Sequence, residues 1–301
     1  MNRLRSSLAP AAVALLRLAV VCLLGLMTLN ALAGSGELRA KYGELREQLR
    51  NNGFHRHLHI DSSQEGDTLR GDVYAVLDHP FKEVSGALRD PADWCNILIL
   101  PFNTKYCHAV GSEGAANLLV RIGRKSDQPV QDAYRLEFAL RPMAASADYF
   151  ESRLNASSGP MGTRDYRIIV AAVPLDAGRT FMHLSYSYRF GFAGRLAMQG
   201  YLATAGADKV GFTVTGRDAN GQPAYIGGVR GAIERNVMRY YLAIDAHLAS
   251  LSAPPEQRLE KRIATWFDET ERYPRQLHEM DRASYIAMKR VESERQQAMI
   301  E

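Results

Sequence analysis

Three histidines stand at every second position in the first part of the chain. His55, His57 and His59 would share one face of a strand, and imidazoles two residues apart can bind one metal ion. No other type of ligand occurs at a matching spacing, so solvent-facing histidines are the favoured interpretation. The sequence therefore predicts no metal site and no cofactor.

A second group with chemical potential occurs in a later predicted strand. His183 and Ser185 share a face with Arg189, and a His beside a Ser could support nucleophilic or acid–base chemistry. Nothing in the sequence orients this imidazole, and the chain contains no G-x-S-x-G elbow. Catalysis is therefore the lesser alternative, and we assign no catalytic residue.

The N-terminal segment has the three-part layout of a secretory signal peptide. Basic residues come first, an apolar run over 18–29 follows, and small residues precede Gly34. The run is short against the roughly 20 apolar residues of a spanning helix. We expect residues 1–33 to be cleaved and the protein to be exported, to the periplasm or outside the cell. An uncleaved membrane anchor is the alternative.

The cysteine count follows from that compartment. Cys22 lies in the leader, which leaves Cys95 and Cys107 as an even pair in an oxidising space. A redox or metal dithiol would need a closer spacing, such as C-x-x-C. The sequence therefore predicts a disulfide between Cys95 and Cys107, and closing such a loop stabilises a fold by about 3 kcal/mol.

Composition and charge describe a protein with a core and no polyanionic partner. Of the 301 residues, 46% are apolar, which excludes a disordered tail. Removing residues 1–33 takes three of the 37 basic residues and none of the 33 acidic ones, which leaves a net charge of +1. With no basic stripe elsewhere, this balance excludes nucleic acid as the expected partner.

Hydrophobic periodicity predicts an α+β chain that is rich in strands. The predicted helices lie at 36–52, from Pro80 to Asp90-Pro91, and at 192–205, 230–251, 256–272 and 275–300. The predicted strands lie at 54–61, 68–77, 101–110, 116–124, 133–141, 147–154, 164–173 and 179–190, with a hairpin over 211–228. Regular short strands favour an antiparallel sheet.

The later strands alternate apolar and polar residues, so one face of the sheet is expected to be dry and the other to meet water. The dry face needs a cover, and the long helix over 230–251 carries the matching stripe of Ile233, Val237, Tyr241 and Ile244. A curved sheet wrapped on this helix would leave a cavity between them.

The stretch VYAVLDHPFKEVSGALRDPADWCNIL resembles the start of the helix-grip superfamily, which includes START lipid-transfer domains, Bet v 1-like proteins and polyketide cyclase-like (SRPBCC) proteins. The residues that carry the resemblance are Pro80, Val84, Leu88, Asp90, Pro91 and Trp94. The order of elements over 54–251 matches the START-like version. The resemblance implies a curved antiparallel sheet wrapped on a long C-terminal helix, in a helix-grip domain over 34–253. The charged helical tail over 254–301 and the hairpin insertion after 192 depart from the family pattern.

The resemblance also implies an internal apolar cavity that takes up a lipid, a sterol or a molecule of polyketide size. Pockets for such ligands are mostly apolar with few polar groups. The candidate ligand contacts are Trp94, Tyr134, Phe138, Tyr166, Ile168, Met182, Tyr186, Tyr188, Val237, Tyr241 and Ile244. Solid packing of the same residues in an ordinary core is the alternative interpretation.

The expected function is that of an exported protein that binds a hydrophobic small molecule or lipid and carries it between membranes. One alternative is a cyclase- or hydrolase-like enzyme on the same scaffold, and another is a filled-core protein that acts through its helical tail. The tail over 254–301 is expected to pack on the domain or on a second copy, and proximity to a membrane is a further option.

Overall fold

The computed structural model describes residues 34–191, 194, 196, 200, 204, 206 and 208–298. The leader over 1–33 lies outside these residues, as do most of the expected helix over 192–205 and the last residues of the tail.

Eight strands form one antiparallel sheet in the order β1-β2-β8-β7-β6-β5-β4-β3. They are β1 (Leu58–Glu65), β2 (Thr68–Leu77), β3 (Thr104–Ser112), β4 (Ala115–Ile122), β5 (Tyr134–Ala145), β6 (Phe150–Ser158), β7 (Thr163–Pro174) and β8 (Thr180–Phe190). A separate hairpin pairs β9 (Val214–Arg217) with β10 (Pro223–Tyr225). The expected strands and the hairpin are confirmed.

The helices lie before, between and after these strands. They are α1 (34–44), α2 (Arg46–Arg50), α3 (Phe81–Ala87), α4 (Pro91–Leu98), α5 (Gly228–Leu251), α6 (Arg258–Thr270), α7 (Pro274–Leu277) and α8 (Arg282–Ala298). The long helix α5 contacts β1, β2 and β8. The face of the sheet toward α5 is called the inner face below, and the opposite one the outer face.

Gly71 on β2 allows α5 to approach the inner face closely. A Cβ at this position would lie 3.1 Å from Val237 and 3.2 Å from Ile233, which is tighter than ordinary van der Waals contact. Both side chains are fully buried. This contact closes the α+β helix-grip fold that the sequence predicted.

The α3–α4 segment has the expected helix–loop–helix form. The Asp90 carboxylate accepts a hydrogen bond from the Ala92 amide at 2.8 Å and caps α4. The Trp94 indole donates to the Leu88 carbonyl at 2.8 Å, which ties α4 to the end of α3. A disulfide joins Cys95 on α4 to Cys107 on β3, with the two Cα atoms 5.2 Å apart, so the predicted bond is confirmed.

The outer face is not entirely wet, in contrast to the sequence-based expectation. The leucines of the N-terminal helices, among them Leu38 and Leu49, pack against Val173 and Phe181 on that face. Alternation along β7 and β8 weakens here because both faces are covered by helices. The N-terminal helices therefore form a third layer of the fold.

The first strand begins later than expected, which separates the three histidines. β1 starts at Leu58, and His55 has a positive φ of 55°, which lies outside the extended conformation of a strand. His55 and His57 are exposed in the turn before β1, and His59 alone lies within the strand. The expectation of one shared strand face was wrong.

The tail packs on the same chain. Trp266 on α6 is fully buried under α5, and its ring stacks on Tyr285 of α8 at 5.2 Å. α8 also docks on β3, where Lys105, Lys289 and Glu292 form a completely buried ion cluster. No helix in the described part of the chain is both long and apolar enough to cross a membrane.

Candidate functional site

A cavity of about 310 Å³ lies between the inner face of the sheet and α5. Strands β4, β5, β7 and β8 supply most of its wall, and α5 supplies one side. The described lining residues are Asn103, Ile122, Leu136, Phe138, Pro160, Met161, Thr163, Tyr166, Tyr186, Tyr188, Gly194, Asn236 and Tyr240. None of these residues is an Asp, Glu, Lys, Arg or His.

Aromatic rings form the centre of this wall. Period-two alternation places Tyr186 and Tyr188 of β8 on the inner face, beside Tyr166 of β7. The Tyr166 and Tyr188 rings stack at 5.2 Å, and the Tyr186 ring meets that of Tyr240 edge-on, also at 5.2 Å. Phe138 on β5 meets Tyr166 in the same edge-on manner. The cluster joins three strands and the helix around one apolar space.

Burial raises the pKa of the phenol in Tyr166, Tyr186, Tyr188 and Tyr240 above its usual value of 10.0. The cause is the loss of water around a group that would have to carry a negative charge. All four hydroxyls are therefore neutral at physiological pH and act as hydrogen-bonding groups.

Some polar groups of the cavity are paired and others are not. The Tyr166 hydroxyl lies 2.6 Å from Thr163 Oγ1, and Thr163 in turn donates to the Pro160 carbonyl, so Tyr166 donates to Thr163. The side chains of Asn103, Tyr188 and Asn236 make no hydrogen bond to another residue in the described ranges. These three groups are free to meet polar atoms of a bound molecule.

The cavity brings together four of the residues predicted from sequence: Phe138, Tyr166, Tyr186 and Tyr188. Six others lie in the solid core and are at most 2% exposed, namely Trp94, Ile168, Met182, Val237, Tyr241 and Ile244. Tyr134 is 40% exposed at the start of β5 and does not line the cavity either. A ligand contact at these seven residues stays a prediction.

The cavity lies beside the predicted stripe of α5 because the stripe itself meets the sheet. The close approach at Gly71 leaves no space around Val237, whereas Asn236 and Tyr240 face the open side. Sequence reasoning missed Asn103, Asn236 and Tyr240. A signal existed for two of them, since Asn236 and Tyr240 are spaced i, i+4 and border the apolar stripe.

His183 has an orienting partner that sequence reasoning did not find. Its Nε2 atom lies 2.7 Å from Asp72 Oδ1 on the neighbouring strand, and Arg70 makes two hydrogen bonds to the same carboxylate. The Tyr74 ring stacks on the imidazole at 4.3 Å. This arrangement lies on the outer face, away from the cavity.

Burial alone would raise the pKa of Asp72, but the hydrogen bonds from His183 and Arg70 outweigh it. The net effect holds the pKa of this carboxyl below its usual 3.8. Asp72 is therefore a stable anion that fixes the ring of His183.

A second cavity, of about 510 Å³, lies between the start of β1, the β9–β10 hairpin and α7. His55 and His59 are among its lining residues, together with Phe54, Phe212 and Tyr273. The His59 imidazole lies 3.0 Å from Asp61. Within the described residues no cluster of His, Cys, Asp or Glu has the arrangement of a metal site.

No protein-family model matches the chain, and no curated protein matches it either. Solved structures resemble it at low identity. A protein from Thermus thermophilus is 11% identical over 62% of this chain and 99% of its own, with a TM-score of 0.39. Ara h 8.0201 is 11% identical over 64% of this chain and 99% of its own, with a TM-score of 0.35.

A point mutant of norcoclaurine synthase from Thalictrum flavum, in complex with a transition-state analogue, is 12% identical over 49% of this chain and 89% of its own, with a TM-score of 0.32. Because these identities and TM-scores are low, the fold assignment rests on the sheet order and on the packing of α5 described above.

Proposed function

We propose that the protein binds a hydrophobic small molecule in the cavity between the inner face and α5. The observation that carries this proposal is a partly open cavity of about 310 Å³ whose described lining is aromatic, aliphatic or polar without charge. Ligand pockets in proteins have this character, with a few polar groups that orient the guest. The unpaired side chains of Asn103, Tyr188 and Asn236 supply such groups.

The cavity volume supports a ligand of modest size. A water-sized group occupies about 30 Å³, so the space holds roughly ten of them. A single acyl chain or a small fused ring system matches this volume, whereas a complete diacyl lipid would extend beyond it. Among the hydrophobic molecules considered from the sequence, the smaller ones are therefore favoured.

Export and carriage of the ligand belong to the same proposal. The leader pattern over 1–33 and the disulfide between α4 and β3 both support an oxidising compartment outside the cytosol. Fractionation of producing cells tests this point. Intact mass should place the first residue of the exported chain at Gly34, and free thiols in that fraction would contradict it.

Native mass spectrometry of the purified protein tests the binding role. We expect a co-purified hydrophobic molecule that organic extraction releases, and a variant Leu136→Trp that no longer carries it. Leu136 lines the cavity from β5, so an indole there fills the space. Leu119→Trp is the matched control, because Leu119 is 39% exposed on the adjacent strand.

The expected result is a folded Leu136→Trp protein without ligand and a Leu119→Trp protein with it. Reconstitution with a hydrophobic fluorescent probe gives the same comparison for protein purified empty. Equal uptake by the two variants would refute a ligand site in this cavity.

A further inference from the structure

The polar groups that line the cavity define the kind of ligand end that fits there. Tyr188 is only 5% exposed, yet its hydroxyl has no hydrogen-bond partner among the described residues. Tyr188 lines the cavity, so a ligand that supplies a partner to this hydroxyl forms a hydrogen bond that the described chain does not make by itself. Asn236 on α5 adds an amide group that is also unpaired and lines the same space.

The surroundings of these groups disfavour a negative charge. The described lining contains no cation, and the faces of aromatic rings carry negative electrostatic potential. The raised pKa of Tyr186 and Tyr188 reports the same environment, because burial penalises a phenolate there. A carboxylate or phosphate in this cavity would meet the same penalty.

A positive charge is disfavoured for a different reason. Ring faces attract cations, but an ammonium ion that leaves water without an opposite charge nearby loses favourable hydration that ring faces do not fully replace. No carboxylate lines the cavity among the described residues, so cation–π attraction alone would have to offset that loss. Neutral molecules avoid both penalties.

We propose that the ligand is a neutral amphiphile: an apolar body of roughly ten water-sized groups that ends in one uncharged hydroxyl or carbonyl group, which Tyr188 and Asn236 bind. Fatty alcohols, aldehydes and lactones belong to this class, and fatty acid anions do not. This inference rests on the proposed function of the cavity and specifies its ligand.

Isothermal titration of the full mature protein at pH 7 with three ligands of equal chain length tests the charge preference. The probes are 1-decanol, decanoate and decylammonium. We expect 1-decanol to bind about a hundredfold more tightly than either ion, because each ion loses hydration without an opposite charge. Equal or tighter binding of either ion would overturn the inference while the proposed function stands. Binding by none of the three would overturn both.

Two variants test the polar contacts. Tyr188→Phe removes the hydroxyl and keeps the ring, and one lost hydrogen bond should weaken 1-decanol binding about tenfold. Asn236→Leu serves as a second variant, on the helix rather than the sheet. Tyr42→Phe, on the outer face, is the matched control and should bind 1-decanol as the unmodified protein does. Unchanged affinity in both cavity variants would overturn the assignment of the polar end.

Discussion

Replacing Glu292 with Gln removes the negative charge that lies between two buried ammonium groups. The Glu292 carboxylate accepts hydrogen bonds from Lys105 at 3.0 Å and from Lys289 at 2.7 Å, and all three side chains are fully buried. These contacts hold α8 on β3. They also lie next to the cavity, because Lys289 binds the Pro101 and Thr104 carbonyls on either side of Asn103.

The size of the effect follows from what remains after the substitution. Removing one partner of a buried ion pair costs about 3 to 5 kcal/mol, since an uncompensated charge stays buried. Both ammonium groups keep backbone partners here, Lys105 at the Phe102 carbonyl and Lys289 at two others. We therefore expect the lower end, a loss of about 3 kcal/mol in the free energy of unfolding at pH 7.

The stability that Glu292→Gln loses should shrink as the pH rises. Burial lowers the pKa of Lys289 to about 8 from 10.5, although Glu292 opposes this shift. Between these two values the unfolded chain binds more protons than the folded one, so stability rises with pH in that window. Without the Glu292 charge the pKa of Lys289 falls further. The folded variant therefore loses the buried positive charge of Lys289, and the cost of burying it, at a lower pH than the unmodified protein does.

Urea denaturation followed by circular dichroism at pH 7 and near pH 9 measures both effects. Glu294→Gln is the matched control, because Glu294 is exposed on the same helix and should change stability by less than about 0.5 kcal/mol. Equal stability of the Glu292→Gln and Glu294→Gln proteins at pH 7 would refute the buried cluster. A loss that does not depend on pH would refute the role of Lys289.

Three further substitutions test the fold around the cavity. Gly71→Ala should lower the free energy of unfolding, measured by thermal denaturation, by about 1 to 3 kcal/mol because the new methyl group meets α5. Gly86→Ala in α3 has free space and should raise that free energy by about 0.5 kcal/mol. The reverse order of stabilities would contradict the close approach of α5 to Gly71. Replacing both disulfide cysteines with serine should cost about 3 kcal/mol in urea, and no change would contradict a closed bond. His183→Gln should leave ligand uptake intact and lower the stability of the fold near pH 5, where Asp72 is still charged. This loss of stability should fade as the pH falls below 3.8, the usual pKa of an Asp carboxyl, because Asp72 then becomes protonated. Lost uptake would contradict the outer-face position of this pair.

Much of the fold could be predicted from the sequence because its signals are local. Alternation over 179–190 and 164–173 predicted β8 and β7, and the Pro80 and Asp90-Pro91 boundaries predicted the helix–loop–helix segment. The disulfide followed from cysteine count and compartment. These signals depend only on residues close together in the sequence, so a single sequence is enough to recognise them.

The candidate site was harder to predict because it depends on register between distant residues. Asp72 and His183 meet only because β2 pairs with β8, and alternation within each strand does not reveal that pairing. The cavity position likewise depends on Gly71, whose missing side chain lets α5 close on one part of the sheet and not on another. The cavity lies beside Asn236 and Tyr240 rather than beside the predicted stripe.

The central claim is that a guest molecule occupies the space between the inner face and α5. Methyl-labelled protein titrated with unlabelled 1-decanol tests it through nuclear Overhauser effects between the ligand and individual side chains. We predict contacts to the methyl groups of Ile122 and Leu136, which line the cavity, and none to that of Leu119 on the outside. Contacts confined to Leu119 or to other exposed methyl groups, with Ile122 and Leu136 unaffected at saturation, would contradict the account.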